Sequence, residues 1–124
     1  MNPISLYIAA AMTCVWGIAH LFATRGVVKK GFGDLSADNR RIITMEWIVE
    51  GVALISTAAF VAAATAVQPG AAVSSAVYAV AIGTLVVLAV VSLFTGFKVA
   101  FLPFRLCPVV FGVSAALIAW GAWL

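Results

Sequence analysis

Four stretches of about twenty apolar residues, each nearly free of charge, decide what this chain can fold into. They run from about Ile4 to Thr24, Ile42 to Val67, Ser75 to Phe97 and Leu106 to Leu124. A helix rising about 1.5 Å per residue needs roughly 20 residues to cross a hydrocarbon core about 30 Å thick. No water is present there to bond free backbone groups, so such stretches cross as helices. The expectation is an all-α membrane protein, a four-transmembrane-helix bundle running up-down-up-down, with residues 1–124 as a single integral membrane domain. Composition agrees: 65% of residues are hydrophobic and 9% charged, against about 25% charged in soluble domains.

The connections set the orientation. Residues 25–41 form the one basic, polar connection, with Arg25, Lys29, Lys30, Arg40 and Arg41; Lys98 and Arg105 flank the third connection. The second connection and both termini carry no Lys or Arg. Short loops rich in Lys and Arg stay in the cytoplasm, which places both termini outside a plasma (inner) membrane. Tyr7, Tyr78, Trp120 and Trp123 then fall near the outer interface as an aromatic belt. The first span lacks the basic residues that precede a signal peptide's apolar core and reads as a retained helix. Gly26, Gly31 and Gly33 are expected to turn the first loop, with Ser36 or Asp38 capping the second helix. The sequence Gln68-Pro69-Gly70 ends that helix, and Pro108 is expected in the first turn of the fourth. Cys14 and Cys107 lie on different spans, too few for a disulfide scaffold, and read as free buried thiols.

Two acids interrupt the second span. Glu46 and Glu50 are four residues apart and share a face, about 6 Å and about 12 Å inside the cytoplasmic boundary. On the antiparallel first helix, His20 falls level with Glu46 and Trp16 level with Glu50. Thr84, Ser92 and Thr95 form a polar stripe on the third helix, and Cys107 opens the fourth beside Arg105. These positions imply a polar pocket in the cytoplasmic half, centred on His20, Glu46 and Glu50 with Trp16, and supported by Ser92, Thr95, Cys107 and Arg105. A charge at bilayer depth is costly, so the acids should face the bundle and be protonated, paired or hydrated.

Plainer roles compete at each position. Glu46 can snorkel to Arg40, Arg41 or water, and a protonated Glu50 can staple helices by hydrogen bonds. His20 can be an interhelical hydrogen-bonder, and Trp16 and Trp47 can be large packing residues. One histidine and two loop aspartates support neither a metal cluster, a Ser/His/Asp arrangement nor a bis-histidine haem. Neither a GxGxxG nor a P-loop occurs, and the net charge of +3 reads as topology and anionic-lipid contact rather than nucleic-acid binding. Nothing here argues for an enzyme.

The stretch "EWIVEGVALI" resembles the second helix of DoxX-like small membrane proteins, four-helix proteins of about this length with an acid–glycine pair in that span. The resemblance touches Glu50 and Gly51 and implies the same four-span plan. Roles in that family are mostly unassigned, with links to membrane redox complexes and stress responses. Small multidrug transporters also have four short spans, but their functional glutamate lies in the first helix, which here has no acid. Three functions stay open from the residues. One is binding of a small ligand, lipid-like cofactor or ion in the polar pocket. The others are an accessory subunit in a larger membrane complex, and a homo-oligomer that conducts protons or ions through Glu50.

Overall fold

The computed structural model covers all 124 residues. Helix α1 spans Pro3–Lys30, α2 Ala37–Val67, α3 Ala72–Phe94 and α4 Leu102–Trp123, with a 3₁₀ turn at Gly96–Lys98. All four are long and apolar enough to cross a membrane, and the chain is a multi-pass membrane protein.

Local chemistry explains where the helices start. The Asn2 side chain accepts the Ile4 N–H at 3.1 Å, and Pro3 occupies the first turn of α1. The Asn2 N–H donates to the Gly121 carbonyl at 2.8 Å, tying the start of α1 to the end of α4. Ser36 caps α2 by accepting the Asn39 N–H at 3.2 Å, while Asp38 lies inside the first turn and pairs with Arg41 on the surface. At the other end, the Ser74 hydroxyl donates to the Gln68 carbonyl at 2.7 Å, so α3 begins three residues before the expected Ser75.

Two boundaries differ more. The α1 helix continues past Thr24 to Lys30, because Arg25–Lys30 contains no strong breaker and Val27 and Val28 are buried. Gly26 is therefore helical and marks no turn; the connection shrinks to six residues, Gly31–Ser36, with its positive φ at Gly33. At 28 residues α1 is about 42 Å long, so its basic last turn reaches beyond a core about 30 Å thick. Helix α4 begins before Leu106, with Pro103 in its first turn and Pro108 inside it. Pro108 has no N–H to give the Phe104 carbonyl, and that carbonyl lies against Gly96 of the 3₁₀ turn.

Residue numbers rise along α1 as they fall along α2 where the two touch: His20 meets Trp47, Gly17 meets Gly51, and Tyr7 shares a groove with Ala62. Leu6 packs on Gly121 of α4, and Thr65 of α2 meets Tyr78 of α3. The core holds Leu6, Leu54, Tyr78, Leu85, Phe111 and Ile118, each at most 1% exposed. Tyr78 is thus in the core and takes no place in an aromatic belt; Tyr7, Trp120 and Trp123 remain exposed. Since the Thr65 hydroxyl already donates to the Val61 carbonyl at 2.7 Å, Tyr78 is the donor in its 3.0 Å bond to Thr65. Outward positions are apolar too, such as Phe22, Phe60, Val80 and Val87, giving the surface a lipid solvent favours.

Candidate functional site

The site forms where α1 and α2 converge toward the end of the bundle that carries the basic residues. His20 is 5% exposed, and its ring stacks on Trp47 with centroids 4.8 Å apart and planes 29° from parallel. The Trp47 indole N–H donates across the helices to the His20 carbonyl at 2.8 Å, and the Thr24 hydroxyl donates to the same carbonyl at 2.7 Å. Trp16 meets the His20 ring edge-on at 6.0 Å, and Phe104 meets Trp47 edge-on at 5.2 Å. Trp16 against its edge and Trp47 against its face therefore hold the imidazole on two sides.

The imidazole faces Glu50, with Nε2 3.5 Å from Oε1. Its other nitrogen, Nδ1, lies 3.0 Å from the Trp16 carbonyl, which only accepts. Nδ1 therefore carries the hydrogen and donates it to that carbonyl, which leaves Nε2 turned toward the Glu50 carboxyl group.

Two cavities adjoin this pair. The larger, of about 520 Å³, is lined by His20, Trp47, Glu50, Ser92, Thr95 and Cys107, together with residues of the first connection, α3 and the 3₁₀ turn. The smaller, of about 240 Å³, lies between α1 and α4 and is almost wholly apolar. Both share His20, Trp47, Phe104 and Cys107 as walls. Trp16 lines the smaller cavity, where its buried indole N–H faces the Cys107 sulfur. The Cys107 thiol lies 3.6 Å from the Pro103 carbonyl, and both cysteines are free. The Thr95 hydroxyl is spent on the Val91 carbonyl at 2.6 Å and offers the cavity only lone pairs.

His20, Glu50, Ser92, Thr95 and Cys107 thus come together, with Trp16 beside them, but Glu46, Arg105 and Thr84 do not. The inward stripe of α2 is Trp47, Gly51, Leu54, Ala58, Val61 and Thr65. Around that helix Glu50 lies about 60° from Trp47, whereas Glu46 lies about 100° away and is exposed. Arg105 is two positions from the inward Cys107, and its guanidinium sits over the Phe97 ring at 5.4 Å. Thr84 lines a separate groove between α2 and α3 with Thr57 and Phe60. The residues missing from the sequence-derived site are Trp47 and Phe104. Trp47 had a signal, a large aromatic one residue from an acid; Phe104 had none, because its role depends on α4 beginning early.

No family model matches this chain. Nor does any curated protein or solved structure match it. No group of three or more His, Cys, Asp or Glu side chains is arranged to hold a metal ion.

Proposed function

We infer that this multi-pass protein binds a small molecule in the cavity beside His20 and Glu50. The observation that carries this reading is the His20–Glu50 contact at the wall of a cavity of about 520 Å³, with Ser92 and Thr95 opposite. A residue pair serving only to staple α1 to α2 has no need of an adjoining cavity with hydroxyls from a third helix. The charge pattern supports an up-down-up-down course with both termini outside a plasma (inner) membrane, so this cavity lies in the cytoplasmic half. The Glu50-Gly51 pair is also the point of resemblance to DoxX-like proteins, and Gly51 lets α1 come close enough for His20 to reach Glu50.

The test is the native mass of gently extracted protein, wild type beside Glu50→Gln. Bound mass on the wild type that is lost from the variant supports the reading and identifies the ligand. A bare chain in both samples removes it.

A second reading has its own observation. Added Cβ atoms at Gly83 of α3 and Gly112 of α4 would meet nothing within 4 Å, so small residues lie on open helix surface. Small outward residues let another membrane helix approach closely, which favours an accessory subunit of a larger complex or a homo-oligomer. Large substitutions at both glycines, followed by measurement of the complex mass in mild detergent, decide between a free chain and an assembled one.

A further inference from the structure

We propose that the two cavities hold one membrane-soluble amphiphile: an uncharged ring bearing hydroxyl or carbonyl groups, on an apolar tail that leaves between α1 and α4. The proposal rests on the binding reading above and names the ligand class and its route.

Adjacency of the two spaces is the first support. The compartment beside His20 and Glu50 and the apolar space between α1 and α4 are divided only by shared side chains, Trp47, Phe104 and Cys107, and one molecule occupying both passes between them. Ala19, Ala23 and Leu106 in the wall of that second space are exposed on the outer surface of the bundle. In a bilayer this places them against acyl chains, so the apolar space opens sideways to lipid. A tail lying there leaves one apolar surrounding for another, while the head exchanges hydrocarbon for hydrogen-bonding partners.

Charge determines the head. None of the seven Lys and Arg of the chain lines either cavity. The only cationic group available is His20, and it already faces Glu50. A phosphate or carboxylate head would meet Glu50 with no free cation to offset it. The groups present suit a neutral head instead. The compartment beside the pair presents the Thr95 lone pairs, the Ser92 hydroxyl and the Glu50 carboxyl group. The edge-on pair of Trp47 and Phe104 provides ring surfaces for a planar group.

The experiment uses the full chain in neutral phosphatidylcholine nanodiscs, incubated with 4-decylphenol, phenol or decyl phosphate, and read by native mass after release. The expected result is one 4-decylphenol per chain, with phenol at least about tenfold weaker and decyl phosphate weaker still. In Ala23→Trp, whose side chain fills the lateral opening from an exposed position, 4-decylphenol occupancy falls by about tenfold while phenol occupancy is unchanged. Ala19→Phe repeats the block should Ala23→Trp fail to fold, and Val87→Trp, on a different lipid-facing surface, leaves occupancy as in wild type. Undiminished 4-decylphenol in the blocked variants, equal binding of decyl phosphate, or no probe bound overturns the proposal. Phenol that binds wild type and not Glu50→Gln, with no gain from the tail, overturns the amphiphile and leaves the binding site standing. Equal phenol binding in wild type and Glu50→Gln removes the site itself.

Discussion

Gly17 and Gly51 face each other at the crossing of α1 and α2, so closely that a Cβ on Gly17 would lie 2.7 Å from the Gly51 carbonyl oxygen. The reciprocal distance is 2.9 Å. One turn along from Gly17 and one residue before Gly51 are His20 and Glu50. Their contact depends on this backbone approach, because a wider crossing would leave the imidazole short of the carboxyl group.

Gly51→Val should therefore cost about 1–3 kcal/mol, since the Gly17 carbonyl oxygen at 2.9 Å cannot move aside as the Leu21 side chain at 2.8 Å can. Gly26→Ala, where nothing lies within 4 Å, should gain about 0.5–1 kcal/mol from helix propensity. Thermal unfolding in one detergent compares them; equal behaviour of the two variants would show that the crossing is not tight.

A double-mutant cycle on His20→Ala and Glu50→Leu should give a coupling of about 0.6–1.7 kcal/mol, the range measured for polar pairs between membrane helices. Glu50→Gln should keep most of it, because a glutamine amide still donates to Nε2. Strict additivity of the two single variants would mean that the contact contributes nothing to stability.

Trp47→Phe retains a ring over His20 but removes the indole N–H that reaches the His20 carbonyl at 2.8 Å. The expected loss is about 1 kcal/mol, one net hydrogen bond. Trp47→Ala should cost more, as the stacking and the wall of both cavities go with it. Unfolding midpoints that fall equally for both variants would assign the whole effect to the N–H.

Orientation is read by labelling. In a background with Cys14→Ala and Cys107→Ala, Asp34→Cys in the basic connection should react with an impermeant maleimide only after the cells are opened. Gln68→Cys in the charge-free connection should react on intact cells. The reverse pattern would invert the topology and move the site to the outer half.

Much of the architecture was legible in the residues. Four apolar stretches between Ile4 and Leu124 can meet a bilayer only as helices, whatever surrounds them, because hydrocarbon offers no other partner for the backbone. The end of the second helix at Gln68 and its cap at Ser36 were equally local matters, fixed by a breaker and by one hydroxyl. The membership of the site was not local. Four-residue spacing puts Glu46 and Glu50 on one face, but whether that face points inward is decided by the neighbour it packs against. Close contact at Gly17 and Gly51, together with Trp47 lying on His20, turns α2 so that Glu50 flanks the seam and Glu46 faces out. Phe104 and the exposed Arg105 follow from where α4 begins, which Pro103 sets more strongly than the expected Pro108. Sequence alone fixes which segments enter the membrane, since that is a balance between each residue and its solvent. Tertiary structure decides which side chains meet, since a helix can turn about its axis until packing holds it.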